Sequence, residues 1–278
     1  MRKDMDDILK QALTPTEEPD FWLNQNILHQ AEEKKMTDKK KRIRGIPVVL
    51  SAVLVLGLGS VTAAAAWKHL TSDKVAEQIQ DERLAEAFRS KKAVTINETQ
   101  SGGGYDVTLL GILSGEDLTD FVTESNGEIK NDRTYAVTAI EKSDGTPMPN
   151  PSEDAYGEET FFVSPLIEGY APNEYNAFTM NGGYSEVVKD GILYRISECD
   201  NVEIFADHEI YLCVSDGTFY NAEAYTYNEK NGVISRNKEY EGLNALFTLP
   251  LDKEKADAKA AKEYLRQMEK DREAANEQ

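Results

Sequence analysis

Few residues in this chain have the types and spacing that catalysis or metal binding requires. It contains no Walker A loop, no HExxH pair, no CxxC pair and no GxSxG nucleophile elbow. The three histidines, His29, His69 and His208, are far apart in the sequence. The sequence therefore predicts a protein that is not an enzyme and that has no cofactor and no metal.

Two clusters have more than one interpretation. His208 lies between Asp207 and Glu209, an arrangement that suits a metal ligand set but is also typical of a solvated turn, which we favour. Gly102, Gly103 and Gly104 predict a turn rather than a phosphate cradle. Because the chain has 50 Asp and Glu residues, a hydrolase that uses a carboxylate pair stays an open alternative.

The only two cysteines, Cys199 and Cys213, are candidates for a disulfide. If the chain reverses through residues 206–208, the two positions face each other across a hairpin. Closing a loop of this length contributes about 3 kcal/mol in the chain-entropy model, provided that the compartment is oxidising. Two unpaired, half-buried thiols are the equal alternative.

Residues 45–67 contain no Asp, Glu, Lys or Arg, and they divide the chain into an N-terminal and a C-terminal part. A bilayer core about 30 Å thick needs about 20 apolar helical residues, so this stretch predicts one transmembrane helix in the lipid bilayer. A secretory signal cleaved near Ala64–Ala66 is the alternative. The 44 preceding residues favour an uncleaved anchor, because signal peptides begin with a short charged region.

Charge on the two sides of this run predicts its orientation. Seven Lys and Arg residues occur in 34–44, whereas Lys68 and Lys74 are the only basic residues in the first 15 positions beyond Trp67. Since positive charge near a span tends to stay inside, the sequence predicts a cell-membrane protein with a cytoplasmic N-terminus and an extracellular C-terminal domain.

The predicted outer part is strongly acidic. Residues 1–44 hold 10 basic and 9 acidic residues, which leaves 21 and 41 of the chain totals of 31 and 50, a net charge of −20, for residues 45–278. This charge repels phosphate, so direct binding of nucleic acid is not expected. An envelope ligand of unknown identity is the expected partner of this part.

The predicted cytoplasmic part contains two amphipathic helices separated by Thr14 and Pro15. Their apolar side chains are candidates for partner binding: Met5, Ile8, Leu9, Phe21, Trp22, Leu23 and Ile27. Some 44 residues cannot build a core, so these faces need a partner. A sigma factor or another cytosolic protein bound at 1–33, the membrane surface, and a disordered tail are the three alternatives.

Beyond residue 92 the apolar residues alternate and turn dipeptides recur. SEVVKDGILYRIS predicts a hairpin at Asp190-Gly191, and a second is expected around Asn231-Gly232. A short helix is predicted at 115–122. The fold class is a single-pass membrane protein, α+β, with a mainly antiparallel, sandwich-like outer domain and flanking helices. The predicted divisions are 1–44, the span 45–67, a stalk helix 68–92, the β-rich domain 93–251 and a C-terminal helix 252–278.

The order of these segments resembles the membrane-bound anti-sigma factors of Gram-positive bacteria, in the group whose outer domain is uncharacterised. The similar parts are DDILKQAL and PDFWLNQNIL, KAVTINETQSGGGYDVTLLGIL, and GVISRNKEYEGLNALFTLPLD. The resemblance implies that the inner helices hold a sigma factor and that the outer domain receives an envelope signal. The zinc-binding type of this family is excluded, because residues 1–44 have His29 and no cysteine. The alternative is an envelope-facing binding or structural module whose inner tail has no function.

Overall fold

The computed structural model of this chain describes residues 68–125 and 128–276. The predicted inner helices, with the partner-binding residues between Met5 and Ile27, and the predicted span 45–67 lie outside the described residues. Within the described residues, none of the helices combines the length and the apolar character needed to cross a bilayer.

The described part begins with two short helices, α1 (Ser72–Gln78) and α2 (Glu82–Phe88). The prediction of one stalk helix over 68–92 is therefore wrong. Gln80 adopts φ of 66°, which interrupts the helix, and the Asp81 carboxylate begins the next one by accepting the Leu84 N–H at 2.9 Å. Both helices pack on a sheet through buried side chains such as Val75 and Leu84.

The rest of the described chain is mainly β-structure, and every pairing between its strands is antiparallel. The strands are β1 Val94–Gly102, β2 Tyr105–Glu116, β3 Thr123–Ser125, β4 Glu128–Lys130, β5 Asp132–Lys142, β6 Phe161–Ile167, β7 Gly183–Lys189, β8 Ile192–Asp200, β9 Ile210–Asp216, β10 Tyr225–Tyr227, β11 Ile234–Arg236 and β12 Asn244–Thr248. Helix α3 (Ala258–Asn276) follows. The prediction of a mainly antiparallel α+β fold is confirmed.

A five-stranded sheet in the order β1-β2-β5-β8-β7 lies at the centre of this fold. One face packs against α1 and α2, and the other packs against a three-stranded sheet in the order β12-β9-β6. Because both faces are covered, the central strands β2 and β5 are buried along most of their length.

Gly111 allows β1 to approach the centre of β2 closely. A Cβ atom at this position would lie 2.8 Å from the Val94 carbonyl oxygen and 2.9 Å from Ser72 Oγ, so a larger residue does not fit. The pairing of β2 with β5 shifts register between Leu109 and Gly111. This irregularity moves Ile112 to the face that already holds Leu109, so that both contribute to the core between the two sheets.

The side chain of Gln100 on β1 joins the two sheets at their edge. Its amide accepts the Leu246 N–H at 2.9 Å and donates to the Leu246 carbonyl at 2.8 Å, so it pairs with β12 as a strand would. Tyr225 on the β10–β11 hairpin donates to the Ala245 carbonyl at 2.9 Å and helps to cover the outer face of the three-stranded sheet. The unit is therefore layered as helices, sheet, sheet and hairpin.

Local turn signals identify the hairpins correctly, whereas the short helix predicted at 115–122 is absent. Asp190 and Gly191 have φ of 54° and 78° and form the two-residue loop between β7 and β8. The hairpin around Asn231-Gly232 is also present, as β10 and β11. Residues 115–122 are not helical, because Asp117 has φ of 55° and the chain turns into the β3–β4 pair.

Of the two alternatives for the cysteines, the structure has the unpaired thiols, since Cys199 and Cys213 are free, and both are fully buried rather than half-buried. β8 and β9 do not form a hairpin; the chain passes from the five-stranded to the three-stranded sheet through a 3-10 turn at Glu203–Phe205. Cys199 contributes to the core between the sheets, whereas Cys213 faces the β10–β11 hairpin. The two thiols therefore belong to different layers.

We expect both thiols to be unreactive in the folded chain and both to react after denaturation without reductant. Burial raises the pKa of the Cys199 and Cys213 thiols to about 12, so very little thiolate is present at neutral pH. Mass spectrometry after alkylation in guanidinium would show two additions. Labelling that requires prior reduction would contradict the free-thiol structure.

Candidate functional site

A buried ion-pair network lies at the end of β5 and β8. Arg133, whose side chain is 1 % exposed, donates from Nη1 to Asp200 Oδ1 at 2.7 Å and from Nη2 to the Asn181 carbonyl at 2.6 Å. The other Asp200 oxygen accepts from the Tyr264 hydroxyl at 2.9 Å. The network therefore attaches α3 and the loop before β7 to the central sheet.

Beside this network is a small cleft with a cavity volume of about 30 Å³. The two helices form one wall, the loop after β2 forms another, and β5, β7 and β8 form the floor. Its lining residues are Ile79, Asp81, Leu84, Thr119, Phe121, Tyr135, Tyr184, Ser185, Ile196 and Glu198. This volume is close to that of one water molecule and far below the volumes of small-molecule sites.

The polar groups of the cleft differ in how fully they are paired. Asp81 is completely buried and accepts from the Leu84 N–H and the Thr119 hydroxyl. The Tyr135 hydroxyl is buried and faces the carboxylate of Glu198, its cross-strand neighbour. Burial, together with the nearby charge of Glu198, raises the pKa of Tyr135, so its hydroxyl stays protonated and able to donate.

Glu198 is the acidic side chain of the cleft with the weakest partners. Its carboxylate accepts from the Thr123 hydroxyl at 3.3 Å and from Arg133 Nε at 3.4 Å, both long for hydrogen bonds. Arg133 makes much shorter contacts with Asp200 and Asn181. The Glu198 carboxylate thus joins the Arg133 network to the Tyr135 hydroxyl, its cross-strand neighbour.

The first three described residues are held against the sheet at the opposite end of β5, and we call residues 68–70 the strap. Both Lys68 Nζ and His69 Nε2 contact the Glu141 carboxylate, the latter at 3.0 Å. The Leu70 N–H donates to the buried Tyr194 hydroxyl at 3.1 Å. The strap therefore leaves no free linker between residue 67 and α1.

The strap and the cleft lie at the two ends of one strand. Glu141 contacts the strap and Tyr135 lines the cleft, and both belong to β5. Six residues of strand span about 20 Å, at about 3.3 Å per residue. Strand β5 therefore connects the first described residues with the cleft.

Reasoning from the sequence did not find these residues. The predicted partner-binding residues lie outside the described chain, and Cys199 and Cys213 are not brought together. Arg133 and Asp200 are 67 positions apart, and only the pairing of β5 with β8 makes them neighbours. No local motif marks either residue.

Among residues 68–125 and 128–276, no group of three or more His, Cys, Asp or Glu side chains is placed to hold a metal. His208 Nε2 lies 3.9 Å from the exposed Asp207 carboxylate, and its ring packs against Tyr170 with centroids 5.3 Å apart.

Comparisons of the chain with protein-family models, with curated proteins and with solved structures found no match.

We expect Arg133→Ala to lower the free energy of unfolding by about 3 to 5 kcal/mol, because it leaves the buried Asp200 and the partly buried Glu198 without their counter-charge. Arg89→Ala is the matched control; Arg89 pairs with Asp73 and Glu77 while 41 % exposed, and its loss should cost at most about 1 kcal/mol. Urea unfolding of both variants makes the comparison. Equal losses would contradict a structural role for the network.

Proposed function

We propose that this chain is a single-pass, membrane-anchored regulator that holds a cytosolic sigma factor through its N-terminal helices and receives an envelope signal through the domain described above. The uncharged run 45–67 and its basic N-terminal flank support the anchor. The apolar stripes of residues 5–27 support a protein partner, because so short a segment cannot bury them itself.

The observation that carries the proposal is the strap. If residues 45–67 cross the bilayer, the three residues that directly follow this span, Lys68, His69 and Leu70, are already bound to the domain. A flexible linker would uncouple the domain from the span. A strap with three direct contacts instead transmits a displacement of the sheet to the membrane helix.

The position of the cleft agrees with this arrangement. Under the proposal the Glu141 end of β5 is joined to the anchor through the strap, and the Tyr135 end lies about 20 Å away along the strand. The cleft at that end lies between the α1–α2 pair and the sheet. Since the strap leads directly into α1, a shift of these helices on the sheet would act on the strap.

An alternative function is an envelope-facing binding module whose inner tail only anchors it. The exposed aromatic pair Phe178 and Phe219 favours this reading, because the two rings are 74 % and 62 % exposed with centroids 5.7 Å apart. Deletion of residues 2–33 distinguishes the alternatives, since it would leave the function of such a module intact.

The full-length chain, solubilised in mild detergent, should capture a sigma factor that mass spectrometry identifies. Replacing Leu9, Trp22 and Ile27 by Asp should abolish the capture, because charge on the apolar stripes opposes burial against a partner. The control replaces Gln11, Thr14 and Gln25 by Asp, which adds the same charge outside the stripes and should keep the partner. Capture that is unaffected by the first variant, or no sigma factor at all, would refute the proposal.

Weakening the strap should expose it to proteases. Glu141→Ala removes the acceptor of both Lys68 and His69. This loss should lower the local stability of the strap by about 1 kcal/mol. We therefore expect trypsin to cleave after Lys68 up to about fivefold faster. Glu86→Ala, at an exposed position on α2, is the control and should leave the rate unchanged. Equal rates in the two variants would show that the strap is not held by Glu141.

A further inference from the structure

Strand β7 is an edge of the five-stranded sheet, and it lacks the protection that the other edges of the two packed sheets have. We propose that β7 pairs with β7 of a second copy of this chain, antiparallel and about a twofold axis. The two five-stranded sheets then join into one sheet of ten strands. Dimerisation by this route does not depend on the proposed binding of a sigma factor.

The other three edges of the two packed sheets are covered or interrupted. The pairing of β1 with β2 shifts register, and Gln100 joins β1 to β12, so these two edges cover each other. β6 contains Pro165, which has no N–H to donate, and the neighbouring Ser164 hydroxyl accepts the Ala177 N–H of the following loop. Each of these edges is thus a poor template for another strand.

The edge formed by β7 has none of these devices. Its seven residues contain no Pro and pair with β8 without a break in register, from Gly183 opposite Glu198 to Lys189 opposite Ile192. Within the described part of the chain, no element other than β8 forms a backbone hydrogen bond with β7. A regular edge about 20 Å long is a template for one more antiparallel strand.

Charge does not oppose pairing at this edge, although the whole chain has a net charge of −19. Glu186 and Lys189 are the only charged residues of β7, so the strand itself is neutral. The Glu186 carboxylate accepts from Arg195 Nε at 2.8 Å and from Nη2 at 2.6 Å, which neutralises it within each copy. Two acidic domains can therefore approach each other along β7.

One register opposes all seven residues of the two strands and places the twofold axis at Glu186. The two Glu186 side chains, each already paired within its own copy, meet at the axis. Tyr184 then lies opposite Val188 of the second copy, and Ser185 lies opposite Val187. A cross-strand pair of an aromatic and a β-branched residue stabilises a sheet, and the twofold symmetry supplies each contact twice.

The same register supplies a partner for Lys189. This residue is exposed and makes no ion pair within the described chain. It lies opposite Gly183 of the second copy, whose own neighbour on β8 is Glu198. Because Gly183 has no side chain, the Lys189 ammonium group can extend across it to the Glu198 carboxylate, whose contacts with Thr123 and Arg133 are long, at 3.3 and 3.4 Å. The two edges are therefore complementary in charge as well as in apolar contact.

The symmetry of the pair agrees with the proposed anchor, and this step alone rests on the proposed function. A twofold axis normal to the joined sheet keeps the same face of both copies on the same side. α1 and α2 cover one face of the sheet, and the strap is bound on that face through Tyr194. Both spans would thus leave from the same side of the ten-stranded sheet and enter one membrane.

The first test is thiol cross-linking of the full-length chain in mild detergent, with copper-phenanthroline as the oxidant. Ser185→Cys and Val187→Cys are purified separately and mixed. The mixture should form a disulfide-linked dimer about fivefold faster than either variant alone, because directly opposed Cβ atoms lie about 5 Å apart and diagonal ones about 7 Å. Phe219→Cys, at a 62 % exposed position outside the edge, is the matched control and should not link.

The second test measures the dimer without cross-linking, by sedimentation equilibrium in density-matched detergent. Tyr184→Asp should raise the dissociation constant about tenfold or more, because it places a carboxylate against Val188 of the second copy. Lys189→Glu should raise it about fivefold, since repulsion from Glu198 replaces an ion pair twice. Phe219→Asp adds the same charge at an exposed ring outside the edge and should leave the constant unchanged.

The proposal is overturned if the unaltered chain sediments as a monomer, if the mixed cysteine variants link no faster than each alone, or if Tyr184→Asp leaves the dissociation constant unchanged. Equal weakening by Phe219→Asp would place the interface at the exposed phenylalanines instead. Should Tyr184→Asp fail to fold, the cysteine comparison decides, because Ser185→Cys and Val187→Cys change side-chain volume little. The readouts contain no sigma factor, so failure of the sigma-factor capture leaves them intact, and the reverse also holds.

Discussion

The five-stranded sheet must be covered on both faces, and the rest of the domain follows from this requirement. Apolar side chains alternate along β5, so that Ile140 packs against the three-stranded sheet while Val137 and Ala139 pack against the helices. Burial of such side chains provides most of the stabilisation of a domain. A single uncovered face would expose a long apolar surface to water, which explains why α1, α2 and the second sheet occur together.

Polar groups are tolerated within these layers where they bring together elements that are distant in the sequence. Arg133 and Asp200 join β5, β8 and α3, and Gln100 joins the two sheets at one edge. A buried ion pair adds little net stability by itself, but loss of one partner is costly. The strap follows the same principle, since Glu141 and Tyr194 bind three consecutive residues just beyond the predicted span.

The sequence predicts local features of this fold well and non-local features poorly. Asp190-Gly191 determines a turn through the positive φ that both residues adopt, so the hairpin was identifiable without any other part of the chain. The crossing from β8 to β9 was not, because it depends on which sheet each strand joins. For this reason the sequence could not decide between a disulfide and two free thiols. The break at Gln80 is similar, since packing on the sheet selects two short helices over one. The cleft residues come from five separate elements and have no shared motif.

The topology of the chain in the cell is the most direct test of the account, because both the coupling through the strap and the binding of a sigma factor require residues 45–67 to cross the membrane. Protease added to intact cells that carry a chain tagged at each end should digest the C-terminal tag and leave the N-terminal tag protected. Survival of both tags, or recovery of a mature chain that begins after Ala66, would contradict it.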